Sequence, residues 1–362
     1  MAQDVLARNV VIKAVQAACR APSIHNSQPW RWVLDGDLQL HLDVNRVLHV
    51  DPARREALMS CGAVLDHFRI AMAAFGWLVR PDYFPNPNDN THLATMNFVK
   101  MHYVTDAHRN RLHAAEQRHT DRLPFLPPRS WPLNEQLIRQ AVGDRAFVDV
   151  LPEAARHRVV EAAQLSEGLR QYDSDYRYEI DWWTAPFKFS EGIPESALPS
   201  EGERGRVDVA REFPLALHQS RRASVSKDES TLVVLSTGGD TPRDFLTCGE
   251  ALSALLVEAT VAGLSTCTLT HVIELVASRQ IVGGLVEREY PQAVVRIGSA
   301  PRWIRYLLLP RAGHCPRFCN SRVGSSSPSL RDQYRGTGDT TSRKVRERTV
   351  RMREAVSRAA EM

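Results

Sequence analysis

The sequence predicts an α+β fold built from two related halves, and three observations support this prediction. A Cys-Gly pair at Cys61 begins a largely apolar helical segment that ends at Gly76, and another at Cys248 begins one that ends at Gly263 with the same spacing. The offset between the two segments far exceeds the roughly 20–50 residues of a solenoid repeat. Residues 291–298 form an alternating apolar run typical of a strand. Together these features indicate an internally duplicated pseudo-dimer, with chance similarity of two alanine-rich helices as the alternative.

The remaining elements follow in chain order. Residues 4–20 predict a first helix, because their apolar residues recur near helical spacing before the turn-forming stretch 21–23. Strand-like runs follow at residues 32–34 and 38–44. In the second half, residues 231–236 predict a strand ahead of the second apolar helix.

The densest motif of the chain is the stretch 23–32, which holds hydroxyl, amide and indole groups in close succession. Neutral donors and acceptors suit the pyrimidine edge of an isoalloxazine ring, and an indole packs on apolar surfaces. The motif therefore indicates a flavin-contacting loop, with a capping turn and a buried tryptophan as the alternative.

Residues 184–230 fit no regular pattern, since Gly, Pro, Ser and charged residues occur throughout. A connection of this length is usually functional or disordered. Its position between the charged segment 118–125 and the predicted strand 231–236 makes it a candidate lid.

Composition indicates an ordinary globular protein, with 43% hydrophobic and 24% charged residues among 362. No run of about 18 apolar residues occurs. The N-terminal stretch 1–30 carries charges in place of the apolar block of a signal peptide: Asp4, Arg8, Lys13 and Arg20. We therefore expect a cytoplasmic protein with no membrane partner.

The net charge of +4 is unevenly distributed. Residues 302–362 hold 14 Lys and Arg against 5 Asp and Glu, a net +9, so the rest of the chain carries −5. A nucleic-acid-binding domain usually shows a basic stripe interleaved with aromatic residues, and residues 1–301 show none. We expect no nucleic-acid partner.

The six cysteines are mostly isolated within apolar patterns, which favours reduced, buried thiols over a disulfide framework. Cys61 and Cys248 are expected in the core. No His or Cys spacing indicates a metal site, because the group formed by His314, Cys315 and Cys319 lacks a fourth ligand.

A family resemblance sharpens these predictions. The pattern from Ala21 through Pro22, Ser23, Asn26, Gln28 and Pro29 to Trp30 resembles the flavin-contacting loop of FMN-dependent nitroreductases. Residues 5–301, roughly five-sixths of the chain, resemble the mycobacterial Acg-like NAD(P)H nitroreductases. Further matching segments are 54–58, 61–68, 84–89 and 190–194. The resemblance implies a nitroreductase-like fold, bound FMN, and NAD(P)H as electron donor for the reduction of a small nitro compound or quinone.

The resemblance also implies the cofactor-binding residues. These are Ser23, Asn26, Gln28, Pro29, Trp30, Arg31 and Trp32 in the loop, and Arg118, Thr120 and Arg122 in a phosphate-binding segment. Without the resemblance, the second group would be read as a solvated charged loop. Neither motif recurs in the other half, so we expect one flavin per chain. The cofactor carries the chemistry, and no catalytic residue is assigned.

This reading divides the chain into a first half over residues 1–110, a second half over 111–301 with a lid over about 184–230, and a tail over 302–362. A closed lid would exclude bulky substrates and the nicotinamide donor. The alternative function is therefore a non-catalytic protein that stores or sequesters FMN. Internal duplication removes the need to dimerise, which favours a monomer.

The tail departs from the family pattern. Acg-like proteins continue after the equivalent of Pro301 with a proline-rich run and an arginine-bearing segment, whereas here Arg302-Trp303-Ile304-Arg305-Tyr306 follows. Suitable codons for residues 303–319 would encode a proline-rich run in a shifted reading frame. Residues 302–362 are thus read as an atypical basic tail, frameshifted or disordered.

Overall fold

The structure is a computed structural model that describes residues 6–185 and 191–301, and the backbone of 318–320. These residues belong to one compact unit that ends at Asn320. The helices are α1 Arg8–Ala18, α2 Arg55–Ala74, α3 Asp106–Gln117, α4 Trp131–Val142, α5 Arg156–Arg170, α6 Ser174–Thr184, α7 Glu201–Arg204, α8 Pro242–Val261, α9 His271–Glu274 and α10 Val276–Val286. The strands are β1 Trp30–Asp35, β2 Asp37–Leu42, β3 Trp77–Tyr83, β4 His92–Lys100, β5 Phe147–Val150, β6 Thr231–Thr237, β7 Ser265–Leu269, β8 Tyr290–Gly298 and β9 Phe318–Asn320.

These elements form two separate sheets. The first has the order β3-β4-β2-β1-β9 and the second the order β5-β6-β8-β7. All neighbouring strands are antiparallel except β1 and β9, which are parallel. Helices packed against antiparallel sheets confirm the predicted α+β class, and the four predicted strands are present with small shifts at their ends.

The two apolar helices α2 and α8 pack against each other at a pair of glycines. A Cβ added at Gly62 would overlap the carbonyl oxygen of Leu246, and one added at Gly249 would overlap the carbonyl oxygen of Met59. Only glycine lets two helix backbones approach this closely. The two contacts are equivalent, since the offset that takes Cys61 to Cys248 also takes Met59 to Leu246 and Gly62 to Gly249.

Burial of these helices accounts for their composition. Among the described residues, α2 alone is long and apolar enough to span a membrane, yet 78% of that stretch is buried within the protein. Cys61 and Cys248 are buried free thiols in the core, as expected, and Cys267 is also buried and free. The general expectation of reduced, buried thiols is wrong for Cys19, which is disulfide-bonded.

Among its described residues, the irregular stretch predicted over 184–230 contains one short helix, α7, and a single 3-10 turn at Glu195–Ala197. Ion pairs tie it to both halves: Arg46 with Glu191, Arg222 with Asp121, and Arg211 with Glu274. The predicted junction at 110/111 lies within α3. Apart from the β9 backbone, the predicted tail lies outside the described residues.

Candidate functional site

Cavity 1 lies where the start of α2 meets the end of β7 and the short helix α9. Residues of the loop 22–25, of the segment 120–122 and of the irregular stretch 199–213 complete its wall. Its lining includes Ser23, His25, Glu56, Ser60, Ala63, Thr120, Arg122, Arg204, Arg211, Phe213, Cys267, Thr270, His271 and Arg296. The volume of the cavity is about 110 Å³, so it has room for several water molecules.

Three of the ten predicted cofactor-binding residues line this cavity: Ser23, Thr120 and Arg122. Thr120 forms a parallel bridge with Thr266 at the start of β7, which fixes the segment against the second sheet. The structure thus brings the predicted loop and the predicted phosphate segment to one site, although α2, the first sheet and α3 separate Ser23 from Thr120 along the chain.

Asn26 and Gln28 lie next to the cavity and shape its loop. The side-chain amide of Asn26 donates to the carbonyl oxygen of Gly192 at 3.0 Å, which joins the loop to the irregular stretch. The backbone N–H of Gln28 donates to Oγ of Ser23 at 3.1 Å. His25, Asn26 and Gln28 have φ values of 48°, 56° and 51°. Left-handed conformations of non-glycine residues cost energy and cluster at functional sites.

The other loop residues face away from cavity 1. Pro29 precedes β1, and its carbonyl oxygen accepts a hydrogen bond from the thiol of Cys61 at 3.3 Å. Trp30 and Trp32 share one face of β1 and are buried in the core, whereas Arg31 on the opposite face is exposed. Because side chains alternate along a strand, the strand start at Trp30 fixes these directions. Both tryptophans fit the alternative of buried structural residues.

Arg118 is buried but does not line cavity 1. Its Nη2 donates to the carbonyl oxygen of Arg20 at 3.3 Å. Burial, followed by the nearby charge of Arg20, lowers the pKa of Arg118 to about 10.

Arg122 is the most conspicuous charge of cavity 1. It forms no ion pair with a carboxylate among the described residues, and its guanidinium lies 4.9 Å from the ring centre of Phe213. Burial is the main cause of the lowered pKa of Arg122; Arg211 lowers it further, and the nearby charge of Asp121 acts against the shift. A partly buried cation that forms no ion pair among the described residues favours an anionic ligand.

Three further residues of the cavity wall carry polar atoms without a hydrogen-bond partner among the described residues: Nε2 of His25, both ring nitrogens of His271, and Nη1 of Arg296. Burial, and then the charge of Arg211, lowers the pKa of each histidine well below its usual value, so both are neutral at physiological pH. Buried polar groups normally have partners, so these atoms point to a polar ligand.

Sequence reasoning did not assign these residues. His25 stood within the recognised loop, but a loop histidine alone gives no role. Arg211 and Arg296 lie within the predicted lid stretch and the predicted strand 291–298, neither of which indicated a role for them, and His271 lies in no motif that the sequence analysis used. In the described part of the chain, no cluster of His, Cys, Asp and Glu has the arrangement of a metal site.

Cavity 2 lies at the start of α8 and is lined by residues that include Asp66, Arg69, Tyr83, Arg145, Arg243, Thr247 and Glu250. Its volume is about 810 Å³, which is larger than that of cavity 1. Polar side chains in its lining form hydrogen bonds and ion pairs with one another. Glu250 accepts from Arg69 at 2.7 Å and from the hydroxyl of Tyr83 at 2.8 Å, and Arg145 pairs with Asp66 at 3.2 Å.

Four positions in the linings of the two cavities correspond through the sequence offset that relates α2 to α8. Three residues of cavity 1 have their counterparts in cavity 2, namely Glu56 in Arg243, Ser60 in Thr247 and Ala63 in Glu250. Tyr83 of cavity 2 has its counterpart in Thr270 of cavity 1. Small residues at two of these positions in cavity 1 are thus replaced in cavity 2 by a large hydrogen-bonded pair.

Comparison with known proteins assigns the family. No protein-family model matches the chain. The Mycobacterium tuberculosis protein named "Putative NAD(P)H nitroreductase acg" is 48% identical over 305 residues, which is 83% of this chain and 92% of that protein. An uncharacterized protein of the same organism is 50% identical over 296 residues, 80% of this chain and 86% of its own. Another relative named as an NAD(P)H nitroreductase is 31% identical over 293 residues, 78% and 83% of the two chains. The chain therefore belongs to the Acg-like family of NAD(P)H nitroreductases.

Proposed function

We propose that this protein is an FMN-dependent NAD(P)H nitroreductase whose single flavin site is cavity 1. The observation that carries the proposal is the partly buried guanidinium of Arg122, which lines the cavity without an ion-pair partner among the described residues and shares its wall with the hydroxyl of Thr120. One cation and one hydroxyl suit a phosphate group. When bound, FMN supplies hydride transfer from NAD(P)H to a nitro compound or quinone.

The chain's own residues then divide into two sets. Arg122 and Thr120 would hold the phosphate, and Arg118 of the same segment, which does not line the cavity, would act indirectly. Ser23, Asn26 and Gln28 would hold the neutral polar edge of the ring, and the unpartnered nitrogens of His25 and His271 offer further hydrogen bonds to it. Pro29, Trp30, Arg31 and Trp32 would act indirectly, by fixing where the loop ends and β1 begins.

The duplication is part of the same proposal. The strand order β3-β4-β2-β1 of the first sheet matches the order β7-β8-β6-β5 of the second, and each set flanks a 20-residue central helix. The reciprocal contacts of Gly62 and Gly249 and the paired cavities share a single sequence offset. We infer an ancestral homodimer with two equivalent sites, of which cavity 1 kept the cofactor, whereas in cavity 2 Glu250 and Tyr83 hydrogen-bond to each other in place of a ligand. This history supports the proposals that each chain binds one flavin and that the protein is a monomer.

We also propose that the stretch 184–230 acts as a lid. Phe213 lies between His25, with ring centres 5.9 Å apart, and the guanidinium of Arg122. A ligand larger than a few waters enters only when Phe213 moves aside. Phe213→Ala should therefore speed FMN association several-fold in stopped-flow fluorescence, whereas Leu217→Ala, a change at a 98% exposed residue of the same stretch, should leave it unaltered. Equal rates for Phe213→Ala and the wild type would argue against a lid.

For the setting, we propose a cytoplasmic enzyme with a small-molecule substrate and no nucleic-acid or membrane partner. The basis is the composition of the chain and the burial of α2 within the protein.

An absorbance spectrum of the purified protein, before and after anaerobic NADPH, tests the proposed activity. We expect a flavin band that bleaches within seconds, while free FMN at the same concentration bleaches much more slowly. A band that is present but persists would contradict the reductase and favour the FMN-storage function. Absence of a band after incubation with FMN would contradict both.

A further inference from the structure

Two carboxyl groups lie together at the start of α2, in the wall of cavity 1. Glu56 lines the cavity, and Asp51 lies behind it; their exposed fractions are only 5% and 3%. The two side chains are hydrogen-bonded to each other. Oδ2 of Asp51 also accepts the backbone N–H of Ala57 at 2.9 Å, which anchors Asp51 to the first turn of α2.

One cation serves this pair. Nη2 of Arg55 donates to Oε1 of Glu56 at 2.8 Å and to the carbonyl oxygen of Ile273 at 3.0 Å. Two buried carboxyl groups in contact do not both ionise at neutral pH, so they hold one proton between them. Burial, and then the charge of Glu56, raises the pKa of Asp51 to about 9. Burial would raise the pKa of Glu56 as well, but Arg55 and the bond from Asp51 reverse that effect and lower it.

Unpartnered polar atoms elsewhere in the wall of cavity 1 independently point to a polar ligand. Nε2 of His25 and both ring nitrogens of His271 line it without a partner among the described residues, and the two side chains are more than nine-tenths buried. Because both imidazoles are neutral and hard to protonate, they accept or donate hydrogen bonds but do not deliver a proton from an imidazolium. At neutral pH, the proton shared by Asp51 and Glu56 is available for transfer to a ligand in cavity 1.

We propose that Asp51 and Glu56 form a proton store that protonates the electron acceptor reduced in cavity 1, an inference that rests on the proposed function. Asp51 gives its proton to Glu56, and Glu56 then passes that proton to an oxygen of the nitro compound or quinone. One O–H bond breaks and one forms at each transfer, and no electrons change hands, since the electron pair comes from NAD(P)H. The pair is left with two negative charges and regains a proton from water. The store favours acceptors whose oxygen atoms become basic as they gain electrons.

The charges around the pair come from each neighbouring element. Arg55 of α2 adjoins it directly, and Glu274 of α9 acts on Arg55. Asp240, ahead of α8, has its pKa lowered mainly by Arg279 and further by Arg55. Arg122 and Arg211 lie in the wall of the same cavity. The charge of Arg55 stabilises the doubly ionised pair after the proton leaves, which allows transfer instead of permanent retention.

Infrared spectroscopy detects the stored proton without cofactor or turnover. We expect a carboxylic-acid C=O band in the wild type at pH 7 that disappears with a midpoint near pH 9, and that is absent in Asp51→Asn. Burial raises the pKa of Glu250 and of Glu167 as well, so Glu250→Gln and Glu167→Gln identify their bands. A wild type without an acid band beyond those of Glu250 and Glu167, or a band unchanged in Asp51→Asn, overturns the proposal.

Transfer is tested on the FMN-loaded protein, with the flavin reduced by dithionite so that NAD(P)H is not needed. Mixing with 1,4-benzoquinone should reoxidise Glu56→Gln and Asp51→Asn at least about tenfold more slowly than the wild type at pH 7. The control Glu250→Gln, a buried carboxyl in the counterpart cavity, should react at the wild-type rate. In the wild type the rate should fall as pH rises through 9, a readout that survives if either variant fails to fold.

The outcomes separate the two proposals. Reoxidation that is equally fast in all variants and independent of pH overturns the proton store while leaving the reductase intact. A wild type that reoxidises as expected but is not reduced by NADPH overturns the proposed function alone. A protein that binds no FMN overturns the function and the transfer step together, and the infrared band then decides whether the proton is stored at all.

Discussion

Cavities 1 and 2 occupy corresponding places at the starts of the two central helices, yet they differ in how their polar groups are satisfied. Cavity 2 is the wider, but none of its lining residues has a buried polar side-chain atom that lacks a partner among the described residues. Cavity 1 is small and leaves such atoms on His25, His271 and Arg296. Unmet hydrogen bonds, and not volume, therefore favour cavity 1 as the proposed ligand site.

The largest effect is expected where the two halves meet. Gly62→Ala and Gly249→Ala should each lower the free energy of unfolding by about 3 kcal/mol, since each new methyl overlaps a backbone carbonyl and outweighs the gain in helix propensity. Gly168→Ala is the matched control: its site on α5 is open, so we expect a change of less than about 1 kcal/mol, in the stabilising direction. Urea unfolding measures all three. Loss of stability at only one central glycine would break the correspondence between the halves.

The second-largest effect is expected on FMN affinity when an arginine in the lining of each cavity is replaced. Arg122→Gln should weaken FMN binding roughly 10- to 150-fold, since a hydrogen bond to a charged group contributes about 1.5–3 kcal/mol. Arg243→Gln in cavity 2 should leave the affinity unchanged, because Arg243 stacks on the ring of Tyr83, 3.4 Å from its centre. Fluorescence titration of FMN gives both dissociation constants and should saturate at one FMN per chain. Similar losses in the two variants, or two equivalents bound, would mean that cavity 2 also holds FMN.

A smaller effect is expected from the hydrogen bond at the floor of cavity 2. Tyr83→Phe removes the donor to Glu250 and should cost about 1–2 kcal/mol of stability, with FMN affinity unchanged. Tyr103→Phe, at a residue with 73% of its surface exposed, provides the control. Thermal or urea unfolding without cofactor is the measurement. If Tyr83→Phe altered FMN binding instead, the satisfied network of cavity 2 would have to be linked to the flavin site.

The sequence predicted those features that depend on local pattern. Apolar periodicity located α2 and α8, alternation located β6 and β8, and the shared offset indicated two halves. Side-chain directions were not predictable, because whether Trp30 and Trp32 face the cavity or the core depends on where β1 begins. The direction of Arg118 was likewise set by a distant carbonyl oxygen, that of Arg20.

The site itself was predicted only in part, for a related reason. Ser23, Thr120 and Arg122 stood in motifs, and the structure brings them together. His271 and Arg211 reach cavity 1 through packing of distant segments, and neither belongs to a local pattern. Asp51 and Glu56 are near in sequence, but the shared proton follows from their burial together beside a single cation, which composition does not reveal.

The assembly of cavity 1 from both halves also determines when it forms in the life of the chain. Its wall combines Ser23, from the loop after α1, with His271, the first residue of α9. At a synthesis rate of about 5–20 residues per second, at least roughly 12 s pass between the two on the ribosome. The first half therefore emerges before the cofactor site that we propose can form, and flavin capture by that site would follow synthesis of α9. FMN loading in the cell would then report synthesis beyond α9, and a nascent fragment that ends before α9 would lack the site.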